Sequence, residues 1–174
     1  MKYIFLLLAF FSASIFTMAQ NNFPTSFVGN WKGTMQWSQP GKDQPQQVAM
    51  ELRIQPLKDS IGQYSWHLMY GKTQEDSRPY ILKPVDTAKG HWMVDEVNGI
   101  LLDQFWLGGK LSGSFSVQNT TILNSYWIEK GQLHIEFFSL STDAITTSGE
   151  GTDNSPRVLS YRLRGYQKAV LTKQ

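Results

Sequence analysis

The chain has 174 residues, with 41% hydrophobic side chains, 14 glycines and no cysteine. A chain of this length forms one domain and can bury enough surface to fold without disulfide bonds. The lack of cysteine excludes disulfides, zinc–thiolate sites, cysteine nucleophiles and lipid attachment to a cysteine. The net charge is only +2, which argues against a nucleic-acid-binding protein because such proteins carry a basic surface.

The N-terminal residues have the pattern of an export signal. Lys2 supplies a positive charge, an apolar run follows, and Thr17 and Ala19 place small residues before a cleavage site. The apolar run is shorter than the ~20 residues that a transmembrane helix needs. The sequence therefore predicts a signal peptide over 1–19 and one domain over 20–174. We expect an exported bacterial protein, periplasmic or secreted, that is not a lipoprotein and has no transmembrane segment in its mature chain.

Beyond the signal, apolar and polar residues alternate, which is the pattern of β-strands with one buried face. In the first such run, Trp31, Met35 and Trp37 share one face, whereas Lys32 and Thr34 share the other. No segment has a convincing helical period. The sequence predicts ten strands, over 27–38, 48–54, 63–70, 80–85, 91–96, 100–107, 111–117, 121–129, 132–140 and 158–165.

Turn residues separate the later strands at short, regular intervals. Asn98-Gly99 is the strongest hairpin pattern, and turns at 108–109 and 130–131 follow. Strands joined in this way are antiparallel neighbours, and closure into a barrel removes their exposed edges. The predicted fold is all-β, a single antiparallel up-and-down barrel of about 8–10 strands, with an immunoglobulin-like sandwich as the alternative. The segment 141–156, rich in Ser, Thr and Gly, is predicted to be a surface loop.

Two segments carry a family resemblance. The tripeptide Gly-Asn-Trp at 29–31 resembles the Gly-x-Trp signature of the calycins, the superfamily of lipocalins and fatty-acid-binding proteins. The segment 162–166, Arg-Leu-Arg-Gly-Tyr, is similar to the part of their closing strand that holds an arginine. The resemblance implies a calycin-like barrel in which that arginine packs on Trp31 and caps the closed end. The sequence lacks the Thr-Asp-Tyr motif of lipocalins in a matching place, and the segment 39–46 is too short for the two helices of fatty-acid-binding proteins, so no subfamily is assigned.

The residues of segment 162–166 have other interpretations. Arg164 and Tyr166 resemble the Arg-x-Tyr pair with which some fatty-acid-binding proteins hold a lipid carboxylate, and an arginine fork suits that role. The alternation places Arg162, Arg164 and Tyr166 opposite the apolar Leu163. Three interpretations of these residues therefore remain: a cap on Trp31, a site for a carboxylate, and a solvated outer face.

The titratable residues form no convincing catalytic or metal-binding motif. His67, His91 and His134 lie on the polar faces of three separate strands, whereas a metal site needs converging ligands. Asp95 and Asp103 flank the Asn-Gly turn and could oppose each other as an acid–base pair. We expect two outward-facing acids instead. No catalytic residue, metal ligand or cofactor is predicted.

The leading hypothesis is an exported lipocalin-like protein that binds a small hydrophobic or amphipathic molecule in its barrel without catalysis. The alternatives are an envelope-associated interaction protein with a solid core, and an enzyme on the same barrel. The strand 100–107 is apolar on both faces, which favours a partner surface or a homodimer. The candidate ligand-binding residues are Trp31, Met35, Trp37, Tyr64, Trp66, Tyr70, Trp92, Trp106, Tyr126, Phe137, Arg162, Arg164 and Tyr166.

Overall fold

The computed structural model describes residues 22–174, so the predicted signal peptide lies outside the described residues. Ten antiparallel strands form one closed barrel in which each strand pairs with its neighbours along the chain and β10 returns to pair with β1. The predicted all-β barrel is confirmed, and the sandwich is not formed. The strands are β1 (Gly29–Ser38), β2 (Gln46–Ile54), β3 (Tyr64–Tyr70), β4 (Asp76–Asp86), β5 (His91–Asp95), β6 (Leu101–Leu107), β7 (Lys110–Val117), β8 (Thr120–Glu129), β9 (Gln132–Ser148) and β10 (Val158–Lys173).

Tight turns join most of the strands. Gly108 and Gly109, between β6 and β7, both have positive φ angles, of 58° and 77°. Two such residues in succession give the turn whose twist matches that of the flanking strands. The predicted Asn-Gly hairpin between β5 and β6 is longer than two residues. Its loop spans 96–100, closes with a backbone hydrogen bond between the first and last residues, and places Val97 at a φ of 60°.

The last two strands are longer than predicted, and the segment 141–156 is not a loop throughout its length. β9 continues to Ser148, which pairs with Val158 of β10. Ile145 and the neighbouring threonines favour extended backbone because β-branched side chains suit strands. The two strands extend past their neighbours as a hairpin, since β8 pairs with β9 only as far as Ser141. Only the residues between β9 and β10 remain as a loop.

Aromatic side chains fill one end of the barrel around a 3₁₀ turn, Thr25–Phe27, that precedes β1. Phe27 is fully buried, packs edge-on against Trp106 with ring centroids 5.9 Å apart, and stacks on Trp66 at 6.4 Å. The Phe27 carbonyl accepts a 2.7 Å hydrogen bond from Nε1 of Trp31. The turn is therefore fixed to the tryptophan of the Gly-x-Trp motif, and together they plug this end.

Lys173, rather than an arginine, lies over the motif tryptophan. The Lys173 ammonium is 5.4 Å from the centroid of the Trp31 ring, and the two residues are paired in the ladder between β1 and β10. The prediction of an arginine cap from segment 162–166 is corrected here. β10 runs on to its residue 173, so the arginines lie near the opposite end of the strand. A cation still covers the indole face.

We expect Phe27→Ala to lower the free energy of unfolding by about 3–5 kcal/mol, because a fully buried ring is lost from the plug. Urea denaturation followed by tryptophan fluorescence measures the loss. Phe105→Ala is the matched control, since Phe105 lies on the outer wall with 47% of its surface exposed. The control should cost less than about 1 kcal/mol. Equal losses in the two variants would contradict the assignment of Phe27 to the plug.

Candidate functional site

A cavity of about 160 Å³ lies in the part of the barrel interior beyond the aromatic plug. Its wall is mainly apolar and aromatic, with a small number of polar groups, and this composition is typical of sites for small molecules. The cavity reaches the end of the barrel at which β3 ends and β4 begins. It is lined by Trp66, Leu68, Tyr70, Arg78, Tyr80, Val94, Glu96, Leu102, Gln104, Phe115, Ile122, Asn124, Tyr126, Phe137, Ser139 and Gln167.

Four of the predicted ligand-binding residues line this cavity: Trp66, Tyr70, Tyr126 and Phe137. Their rings form a connected surface. The ring of Tyr126 packs edge-on against Trp66, with centroids 5.1 Å apart, and edge-on against Phe137 at 5.9 Å. Burial raises the pKa of Tyr70 to about 12. The structure therefore brings together part of the predicted aromatic set.

Six other predicted residues do not line the cavity. Most of them belong to the packed core, because their positions along the strands place them closer to the plug or in contact with it. Trp37 is only half-buried. It pairs with Gln167 of β10, and Gln167 pairs on its other edge with Phe137 of β9, so β10 separates Trp37 from Phe137. The six are Trp31, Met35, Trp37, Tyr64, Trp92 and Trp106.

The three predicted residues of β10 lie on the outer wall of the barrel. Arg162 is exposed, and Nη1 of Arg164 donates a 3.3 Å hydrogen bond to the Thr120 hydroxyl. The Tyr166 hydroxyl donates a 2.6 Å hydrogen bond to Glu136, and burial together with this carboxylate raises the pKa of Tyr166 to about 12. The alternation of the strand turns these side chains away from the cavity. We therefore do not retain them in the candidate site.

A pair of buried amides forms one side of the cavity wall. Asn124 donates a 2.7 Å hydrogen bond to Oε1 of Gln104, and Gln104 donates a longer one of 3.4 Å to Oδ1 of Asn124. Gly113 lies between them on β7, paired with Asn124. A methyl group at this glycine would collide with the Gln104 amide, so the missing side chain lets the two amides meet. Each amide keeps one N–H and one acceptor lone pair beyond this reciprocal pair.

The indole N–H of Trp66 is buried beside the Tyr126 hydroxyl. Within residues 22–174, Nε1 of Trp66 makes no hydrogen bond of good geometry, and this atom is enclosed by protein rather than exposed to the cavity. Burial raises the pKa of the Tyr126 hydroxyl far above its ordinary value, whereas side-chain hydrogen bonding with the Trp66 indole lowers it. The indole N–H therefore belongs to the packed interior beside Tyr126, and the ring of Trp66 is what the cavity wall presents.

Charged residues lie only at the rim of the cavity. Arg78 donates hydrogen bonds of 2.9 and 2.6 Å to the two carboxylate oxygens of Asp76, and its guanidinium lies 5.1 Å from the Tyr70 ring centroid. This pairing raises the pKa of Arg78 and lowers that of Asp76. Burial and the neighbouring Glu96 carboxylate raise the pKa of Tyr80. The rim therefore holds one neutralised ion pair and one further carboxylate.

The sequence did not reveal the polar members of this wall. Gln104 and Asn124 lie at apolar-parity positions of their strands, and this position is the one feature that could have indicated inward amides. Arg78 follows a turn and Glu96 precedes one. Near a turn, the alternation of residues does not predict which way a side chain points. Asp76 and Arg78 pair on the same face of β4, but both precede residue 80, where the predicted fourth strand begins.

The histidines are separated on the outer wall, as their parity predicts. Nε2 of His67 is 2.7 Å from the Ser77 hydroxyl, and Nε2 of His91 is 2.7 Å from Asp103. His134 belongs to a third strand. Within the part of the chain that the structure describes, no three His, Cys, Asp or Glu residues form a group that could hold a metal ion.

The two aspartates of the acid–base alternative do not meet. In the ladder between β5 and β6, Asp95 lies opposite Leu101, and Asp103 lies opposite Met93. The Lys83 ammonium pairs with Asp95 and holds the pKa of this carboxyl below its ordinary value. Neither aspartate lines the cavity. The structure therefore gives this pair no common site.

Comparison with known proteins supports the fold and assigns no family. No family model matches the chain, and no curated protein matches it. A solved structure of a protein of unknown function from the DUF3598 family of Nostoc punctiforme PCC 73102 is similar, with a TM-score of 0.61 at 12% identity. The similarity covers 86% of this chain and 48% of that one, so this chain spans about half the length of the Nostoc protein. The barrel is compatible with the calycin resemblance.

Among residues 22–174, no helix has the length and apolar character needed to cross a bilayer.

The amide pair can be tested by a double-mutant cycle. We expect Gln104→Met or Asn124→Leu alone to cost about 1–3 kcal/mol of stability, because each leaves a buried amide without its partner. The double variant should cost less than the sum of the two, since no unpaired amide remains. Chemical denaturation measures all three. Ser112→Ala and Ser125→Ala, which remove a 2.8 Å hydroxyl pair from the outer wall, are the control cycle. Additive losses at the amides would contradict a coupled pair.

Proposed function

We propose that the protein is an exported binding protein that holds a small apolar or amphipathic molecule in the barrel cavity and catalyses no reaction on it. The main support is the cavity itself, whose wall combines aromatic rings with the buried amides of Gln104 and Asn124. An apolar cavity with a few polar groups in its wall is typical of a site for a small molecule.

The size of the cavity limits the ligand. A void of about 150 Å³ lined by apolar side chains can hold benzene, and this cavity has about 160 Å³. The enclosed part of a ligand is therefore close to one ring in size, and any longer portion would extend past the rim. Burial of its carbon surface would contribute roughly 25 cal/mol per Å², while the polar wall groups orient it.

A stripe of exposed apolar residues on β6 supports a second candidate function, that of an interaction protein. Leu101, Phe105 and Leu107 point outward and are 55%, 47% and 77% exposed. The inward residues of the same strand line the cavity or pack against the core. The strand is thus apolar on both faces, as its sequence indicated, and the outer face suits a protein partner or a second copy of the chain.

A panel of small probes tests the ligand-binding function. We expect at least one of indole, phenethyl alcohol, octanol and decanoate to bind saturably and to change the tryptophan emission, because Trp66 lines the cavity. Fluorescence titration and calorimetry measure binding. Val94→Phe should abolish it by placing a ring in the cavity, whereas Met93→Phe, on the outer face of the same strand, should leave it unchanged.

Thermal unfolding checks that both phenylalanine variants are folded, since overpacking costs about 1–3 kcal/mol. Leu102→Phe blocks the same cavity from β6 and replaces Val94→Phe if that variant does not fold. If no probe binds the natural protein, or if binding persists in both cavity-blocked variants, the proposed site is wrong.

The interaction function predicts self-association or partner binding through the stripe on β6. Light scattering across a range of concentrations should then show a dimer that Leu107→Lys converts to a monomer. Ile61→Lys is the control, since Ile61 is fully exposed in the loop between β2 and β3, away from the stripe. A natural protein that is monomeric at every concentration and retains no partner would argue against this candidate.

A further inference from the structure

Two of the residues that line the cavity carry a charge, Arg78 and Glu96, and they differ in how far they are already paired. Nε and Nη2 of Arg78 both donate to the Asp76 carboxylate, so one of the two edges with which a guanidinium binds an anion is already used. Its face lies against the Tyr70 ring. The positive charge at the rim is thus compensated before any ligand arrives.

Glu96 has no such partner. Its carboxylate accepts a 3.3 Å hydrogen bond from Nδ2 of Asn98 and lies near the Tyr80 hydroxyl, which also interacts with Arg78. Within residues 22–174, no lysine, arginine or histidine nitrogen lies within ion-pair distance of it. Asp76, Arg78 and Glu96 together therefore leave the rim with one net negative charge.

Aromatic rings surround the space behind this carboxylate. Tyr80 precedes the position on β4 that pairs with Asp95, which places it beside Glu96 in the sheet. Tyr126 and Phe137 line the same cavity, as does Tyr70, whose ring already carries the Arg78 guanidinium on one face. The faces of such rings attract cations through their quadrupole, and the attraction is larger where water is excluded. An aromatic wall with one unpaired carboxylate at its rim is complementary to an organic cation.

We propose that the ligand of this cavity is a small organic cation, an amine in its ammonium form on an apolar body of about one ring, with the ammonium group at Glu96. This inference rests on the binding function proposed above and specifies its ligand class. A fatty-acid carboxylate fits less well, because its charge would lie beside Glu96 and would have to share Arg78 with Asp76.

Three ligands of nearly equal shape test the proposal: phenethylammonium, phenethyl alcohol and phenylacetate. We expect calorimetry to show the cation binding about tenfold more tightly than the alcohol, and the anion binding most weakly. Glu96→Gln should remove the preference for the cation while leaving the affinity for the alcohol unchanged. Glu129→Gln, an exposed carboxylate at the turn after β8, is the matched control and should change neither.

Asp76→Asn provides a second, independent variant. It releases the Arg78 guanidinium, so phenylacetate should bind more tightly and phenethylammonium more weakly than in the natural protein. If Glu96→Gln does not fold, this variant and the natural protein decide the question.

The outcomes separate the two proposals. If the alcohol or the anion binds as tightly as the cation, the cation proposal is overturned and the binding function stands. The cation proposal also fails if none of the three ligands binds while another probe of the panel does. If neither these ligands nor the panel binds, both proposals are overturned.

Discussion

The ladder between β1 and β10 is the constraint on which the interior depends, because it joins the first strand to the last. It runs from the pair Trp31–Lys173 to the pair Ser38–Tyr166. A sheet edge exposes unpaired N–H and C=O groups, and closure both satisfies them and encloses one face of the sheet. Gly33 lies within this ladder, and a side chain there would collide with the Val170 carbonyl. The plug and the cavity both lie on the face that this closure encloses.

The enclosed interior is filled unevenly, and this unevenness creates the cavity. Phe27 and Trp31 occupy one end, where a turn that precedes the barrel adds its rings to those of the strands. Toward the other end the interior positions include small residues such as Val94 and Ser139. Strands of a barrel stay at fixed spacing, so small side chains there cannot be compensated by closer approach of the walls. The volume that they leave becomes the cavity.

Much of the fold could be predicted from the sequence, but the boundaries of the site could not. Alternation predicts which side of a strand faces the interior, and it placed Trp31 and Trp66 correctly inside. It carries no measure of depth along the barrel axis, so it could not show that Trp31 belongs to the plug whereas Trp66 lines the cavity. The Ser- and Thr-rich part of β9 was predicted to be a loop because composition outweighed β-branching. The ion pair of Arg78 with Asp76 follows the strand period of two, but it precedes residue 80, where the predicted fourth strand begins.

The polar groups of the interior fall into those that satisfy one another and those that do not. Gln104 pairs with Asn124 in the interior, and at the rim Arg78 pairs with Asp76, so each pair has part of its bonding capacity already used. The two amides keep one N–H and one acceptor lone pair each, which are the polar groups that the interior offers beside its aromatic wall. A buried polar group without a partner costs more than a paired one contributes. The free energy that a ligand gains from its polar atoms therefore depends mainly on the groups that the fold leaves unpaired.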